Sequence, residues 1–164
     1  MKETLEFIAA GTEVTRYHTV FTFAKETVGH HSHGVAMMVL MIKPDASASL
    51  LKAALYHDLA EQVVGDIPSP AKRRFDLGKR LDELEHAVIE EAGIQQPELD
   101  DEEVRILKLA DIAQGALFCA REMQLGNTRL APVYARYISY AVQIGLEGRE
   151  SALFNAITEI AHEC

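Results

Sequence analysis

A chain of 164 residues is long enough for one domain with a real core and too short for two ordinary ones. Its 48% hydrophobic and 25% charged residues are the balance of a soluble globular protein, and a net charge of −9 argues against general nucleic-acid binding, which wants a basic face. Cys119 and Cys164 stand far apart with no CxxC spacing, which excludes a disulfide framework or zinc ribbon and fits a reducing cytoplasm.

In chain order the pattern is helical almost throughout. A short helix is expected over about Lys2 to Ala9, ended by Gly11. Its start, Met1-Lys-Glu-Thr-Leu-Glu6, lacks the basic-then-apolar order of a signal peptide. Val14 to Thr27 lacks periodicity and reads as an irregular segment. The longest apolar run, Gly34 to Ile42, falls far short of the roughly 20 residues a bilayer needs, so a buried helix is expected from about Val28 to Ile42. Met37, Met38 and Met41 then read as core packing. Asp45 is placed to cap a helix from Ala46 to Val64, which Gly65 ends. Gly65-Asp-Ile-Pro-Ser-Pro-Ala-Lys72 reads as a rigid loop, because its prolines fix φ and forbid a continuing helix. Leu77, Leu81, Leu84 and Val88 follow helical spacing up to Gly93. After Pro97, the acidic run Asp100 to Glu103 opens a long helix to about Leu125, closed by Gly126-Asn127. Pro132 to Ile144 and Glu150 to His162 complete the set. No alternating strand pattern, hairpin signal, repeat or linker appears, so the expectation is one all-α domain over residues 1–164.

Within this frame, His57-Asp58 stands in a helix that otherwise reads as core, where two polar side chains are costly unless something compensates them. A metal ion is one compensator, since His and Asp are standard ligands; a hydrogen-bonded core pair is the other. The surrounding residues favour the metal. His57 and Glu61 are four apart and Asp58 and Glu61 three apart, so all can address one cleft. Asp111 falls on the stripe Val104, Leu107, Asp111, Gln114, Phe118, and His31 begins the apolar helix. Two imidazoles and two carboxylates from buried helices make a site with positions left for water, and the metal lowers the pKa of that water to near neutral. Lys72, Arg73, Arg74, Lys79 and Arg80 form a basic cluster beside it, which suits a phosphate-bearing ligand, although such residues also make an ordinary solvated face. His18, His33, His86 and His162 read as structural or surface histidines.

The order His31 … His57-Asp58 … Asp111, with Arg16-Tyr17-His-Thr19, Glu61 and Gly65-Asp66-Ile-Pro, resembles the HD-domain phosphohydrolases, within them the bacterial 5′-deoxynucleotidases and the compact phage dATP triphosphohydrolases. The resemblance runs from about Arg16 to Asn127. It implies an all-α helical bundle in which His31, His57, Asp58 and Asp111 hold one divalent metal (Co, Mn, Ni, Zn, Fe or Mg). Glu61 would orient or deprotonate the attacking water and Asp66 would serve as acid on the leaving oxygen. Arg16 and Lys72 would hold phosphate oxygens. Tyr17 would lie against the sugar, where it disfavours a ribose 2′-hydroxyl, and Thr19 would line the base pocket. Compact length and local phrasing favour a dATP triphosphohydrolase. A 5′-deoxynucleotidase acting on dNMPs and a catalytically silent nucleotide-binding module are the alternatives. A deoxynucleotide substrate and a homo-oligomeric assembly are expected, and neither nucleic acid nor membrane as partner. Relatives place an acidic residue before the first ligand and often an aromatic two after it; here these are His30 and His33. A neutral His30 offers His31 no carboxylate to orient it, and could itself compete as ligand.

Overall fold

The spine of the molecule is a long helix whose start is dictated locally. Asp100 accepts the Glu103 N–H at 2.8 Å while the Glu103 carboxylate accepts the Asp100 N–H at 3.3 Å, a reciprocal cap that opens the 24-residue helix Asp101–Gln124. In the computed structural model, which describes residues 1–163, this is the seventh of nine α-helices; Cys164 lies outside the described residues. The others are α1 (Lys2–Thr12), α2 (Val28–Ile42), α3 (Ala48–Tyr56), α4 (Glu61–Val64), α5 (Ser69–Arg74), α6 (Gly78–Glu91), α8 (Ala131–Ile144) and α9 (Gly148–His162), with a 3-10 turn at Thr128–Leu130. An isolated bridge between Thr15 and Thr27 is the only β pairing among the described residues, so the class is all-α, as expected. None of these helices is long and apolar enough to cross a membrane.

Helix α7 is wrapped by α2, α8 and α9. Its buried side carries Leu109, Ala110, Ala113, Ala116 and Ala120. Small side chains at helical spacing let the neighbouring helices approach closely. The stripe expected from the sequence is therefore displaced: Val104 is exposed, and Asp111 stands at the edge of the buried face rather than in its middle. A second, smaller cluster joins Leu59 and Ala60 to Val88, Ile89 and Ile94, with Phe7 and Ile8 of α1 packed on it. The His57–Ala60 turn runs along the seam between the two clusters.

Four boundaries depart from expectation. Gly11 does not stop α1; it lies inside the helix, where a Cβ would meet Leu59 Cδ2 at 3.0 Å and Leu59 O at 3.1 Å, so glycine serves close packing. Ser47, not Asp45, caps α3, its hydroxyl accepting the Leu50 N–H at 3.0 Å. The helix expected to run through to Val64 breaks at His57, where hydrogen bonds shorten to the i−3 pattern, Leu59 N–H to Tyr56 O and Glu61 N–H to Asp58 O. Pro70 starts the short helix α5 instead of forbidding one, because a proline in the first turn has no N–H to satisfy. Met38 is buried, whereas Met37 and Met41 are half-exposed and not core.

Candidate metal centre

The break at His57 is what aims its side chain. The His57 backbone N–H closes α3 on Ala53 O, and its Nδ1–H donates to the Ala54 carbonyl at 2.9 Å, so Nε2 faces inward. His31 reaches the same point from the first turn of α2, whose N-cap, Thr27, accepts the His30 N–H. The two Nε2 atoms stand 3.3 Å apart. Asp58 Oδ2 lies 3.4 Å from His31 Nε2 and 3.3 Å from His57 Nε2, and Asp111 Oδ1 lies 3.3 Å from His31 Nε2. His31 is fully buried, while the side chains of His57, Asp58 and Asp111 are 18, 19 and 25% exposed, so the cluster opens to solvent on one side.

This donor set fits a cation. A carbonyl oxygen only accepts, so both Nδ1 atoms, on Ala54 O and on Gln114 Oε1 (2.5 Å), carry the protons. The two inward nitrogens and Asp58 Oδ2 lie within 3.4 Å of one another, and Asp111 Oδ1 approaches from the His31 side. One cation can be reached by His31, His57 and Asp58 together, with Asp111 beside His31, and His/Asp sets suit divalent metals. The electrostatics agree. Burial opposes charge on His57, yet Asp58 and Asp111 outweigh it and raise the imidazole to about 9, so the place favours a positive charge, which a proton on Nε2 supplies where no cation does. Burial likewise opposes the Asp58 carboxylate, but His57, Arg16 and His31 keep it well below the usual range. Asp111 is held down, against burial, by His31 and Lys108. Glu61 is 5% exposed, its Oε2 has no hydrogen-bond partner, and burial with Asp58 and Asp66 pushes its carboxyl up to about 8. An orphaned buried acid beside a cation-competent cluster is equipped to handle a water proton.

The structure brings His31, His57, Asp58 and Asp111 together and sets Arg16 against them, with NH1 2.7 Å from Asp58 Oδ2 and Nε 3.2 Å from Glu26 Oε2. Arg16 thus holds two carboxylates, Asp58 through NH1 and Glu26 through Nε. Tyr17 has a left-handed backbone (φ 56°), held by its N–H on Asp66 Oδ2 at 3.2 Å. Its ring stacks on Phe118 with centroids 4.7 Å apart, and its hydroxyl is 3.2 Å from that of Tyr137. Asp66 also faces His18 Nδ1 at 3.7 Å. Lys72 is turned toward Glu85 (3.9 Å), and Thr19 is exposed, so neither joins the central cluster. His30 is exposed and lines a cavity of about 330 Å³ behind the centre, together with Glu26, Gln114, Phe118 and Arg121, so it does not compete with His31.

Three functional neighbours escaped the sequence reading. Gln114 stands one turn beyond Asp111, a spacing that could have flagged it. Tyr137 packs on Gly115, where a Cβ would meet its Cζ at 2.6 Å, and no pattern announced that contact. Glu122 is buried and accepts the Phe23 and Ala24 N–H groups, each at 2.7 Å, and Asn127 Nδ2 at 2.8 Å, pinning the segment that follows Tyr17.

A 5′-deoxynucleotidase of Photorhabdus temperata is 27% identical over 75% of this chain and 75% of its own. A dATP triphosphohydrolase of Salmonella phage PMBT28 is 33% identical over 44% of each chain. The solved structure of the cyanophage S-2L HD phosphohydrolase, bound to dA and one catalytic Zn²⁺ ion, superposes with a TM-score of 0.72 at 19% identity, covering 97% of this chain and 96% of that one, a likeness of fold. The family model for the HD domain matches residues 13–104, more than half of the chain. Its span takes in His31, His57 and Asp58 and stops short of Asp111. With the His/Asp cluster in place, the chain belongs to the HD-domain family of metal-dependent phosphohydrolases.

Proposed function

We propose that residues 1–164 act as one HD domain that hydrolyses the 5′-phosphate ester of 2′-deoxynucleotides, as a triphosphohydrolase of a purine dNTP such as dATP. The observation that carries the reading is the meeting of His31, His57 and Asp58 donors at 3.3–3.4 Å on the open side of a buried cluster, with Asp111 Oδ1 3.3 Å from His31 Nε2. These four residues would hold the divalent cation, whose chemistry when bound would be to acidify the attacking water. Glu61, poised near neutrality by burial and its acidic neighbours, takes the proton of the attacking water. The water oxygen would bond to phosphorus as the bond from phosphorus to O5′ breaks, and the proton taken by Glu61 would pass by way of Asp66 to the departing oxygen. Arg16 would neutralise phosphate oxygens while keeping its hold on Asp58 and Glu26, and Lys72 would do so by turning from Glu85 toward the phosphate chain. Tyr17, locked by Phe118, Tyr137 and Asp66, packs against the sugar, and exposed Thr19 borders the base. The run Lys72-Arg73-Arg74 ending α5, on a strongly acidic protein, supports a substrate with a long phosphate chain. The names of the relatives support a deoxynucleotide.

A second reading, a 5′-deoxynucleotidase acting on dNMPs, is favoured by the longer match to the Photorhabdus protein. A silent nucleotide-binding module is disfavoured by the presence of Glu61 and Asp66 beside a full ligand set. The test is a panel of dNTPs, dNMPs and NTPs with Co, Mn, Ni, Zn and Mg, with products resolved by chromatography. Triphosphate release from dATP is expected. Phosphate from dNMPs alone would select the second reading, and no release above a metal-free blank would select the module. Size-exclusion chromatography tests the homo-oligomer that we take as the working assembly.

A further inference from the structure

His31 is buried without the acidic neighbour that its position calls for, yet its ring orientation is fixed. The side chains that fix it come from α7 and from the irregular segment before α2. Gln114 Oε1 accepts from His31 Nδ1, and Gln114 Nε2 donates to Glu26 Oε1 at 2.7 Å. Glu26, 5% exposed, also takes Arg16 Nε on its other oxygen at 3.2 Å, and Arg16 NH1 reaches Asp58.

From this chain of contacts we infer that Glu26 and Gln114 are positioning residues of the metal centre, one buried carboxylate setting two metal ligands, His31 and Asp58, from opposite sides. The inference rests on the metal reading of those ligands given above. Its logic is one of donors and acceptors. An ionised carboxylate only accepts, so it holds the Gln114 amide with nitrogen toward Glu26 and oxygen toward His31. That oxygen in turn only accepts, so it requires the proton on His31 Nδ1 and leaves Nε2 free to ligate. On the other side, Glu26 grips the Nε edge of the guanidinium and thereby fixes the plane in which NH1 meets Asp58 Oδ2. Glu26 also neutralises Arg16, which a divalent cation would otherwise repel from its place. The backbone makes room for the arrangement. A Cβ at residue 34, one turn after His31, would meet Gln114 Cγ at 2.7 Å, so glycine there lets the amide reach the imidazole.

The test uses the whole chain with Gln114→Met and Glu26→Gln. Met keeps the bulk of Gln114 but offers no amide acceptor. Gln at 26 serves only one of the two donors that meet the carboxylate. Cobalt(II) titration followed by visible absorption reads metal affinity, imidazole nitrogen-15 shifts read the His31 tautomer in the metal-free protein, and thermal melting reads the fold. Gln114→Met should bind cobalt about 10–100-fold more weakly and release His31 from the Nδ1–H tautomer, with a melting midpoint close to wild type. Glu26→Gln should weaken cobalt binding by about tenfold, the low end of the same range. Wild-type affinity in both variants, with the His31 tautomer unchanged, would overturn the inference. Wild-type protein that binds no cobalt would instead overturn the metal reading, while the tautomer measurement still decides the roles of Glu26 and Gln114.

Discussion

Replacing Asp58 by Ala separates two contributions of one carboxylate. In the folded chain Asp58 is the counter-ion of Arg16 at 2.7 Å, in a place where Arg16 is only 10% exposed. Removing one partner of a buried ion pair costs about 3–5 kcal/mol. Glu26 still faces Arg16 Nε at 3.2 Å, so the low end, about 3 kcal/mol, applies. In a chain of this size 1 kcal/mol moves the unfolding midpoint by about 2–4 °C, so metal-free Asp58→Ala should melt about 6–12 °C below metal-free wild type. The second contribution appears when metal is added. A cation at a hundred times its Kd stabilises the wild type by about 2.7 kcal/mol, or about 5–11 °C, and the variant not at all. Calorimetry with chelator and then with Zn or Co measures both differences, and metal analysis with turnover completes the assay. The variant should keep its helical spectrum while losing metal and activity. A metal-dependent rise in the variant equal to that of wild type would refute the ligand assignment. Full wild-type turnover after exhaustive chelation would refute the metal altogether.

Other perturbations address neighbouring residues. Glu61→Ala should lower kcat by about 10²–10⁴-fold with substrate binding nearly intact, because proton removal matters chiefly in the transition state; a change confined to KM would mean that another residue has that role. Tyr17→Ala should bring kcat/KM for ATP closer to that for dATP, since the fixed ring leaves a 2′-hydroxyl buried without a partner, worth about ten- to a hundredfold; equal use of both by wild type would refute the deoxynucleotide reading. Burial works to raise the Glu122 carboxyl, but donation from Ala24, Asn127 and Phe23 prevails and lowers it from its ordinary value of 4.5. A folded-state pKa below the unfolded one gives stability that is present above the ordinary value and lost as pH falls through the lowered one. The wild-type midpoint should therefore drop more steeply below pH 4.5 than that of Glu122→Gln, and parallel profiles would refute the role of that carboxylate.

Much of the fold is legible in one dimension because its signals are local. The reciprocal cap of Asp100 and Glu103 reads directly as a helix start, and the helix expected from about Val28 to Ile42 is α2 with those bounds. Local propensity misleads at Gly11 and at the helix through His57, where packing against Leu59 and the seam between two apolar clusters decide; at Pro70 the local rule itself allows a helix, since a first-turn proline has no N–H to satisfy.

The sequence by itself determined the all-α class, most of the long helices and the residue types of a metal-competent cluster, because each of these is written in spacing and side-chain chemistry. His57-Asp58 in an apolar context, with His31 and Asp111 on other helices, sufficed for that. Only the tertiary structure decided how those residues are held. That Glu26 and Gln114 orient the ligands, that Arg16 is engaged with Asp58, and that Tyr137 locks Tyr17 are contacts between residues 10 to 120 positions apart. Donor and acceptor pairings at that range leave no periodic trace in a single chain. They exist once α2, α7 and α8 have packed and their side chains must satisfy one another away from water.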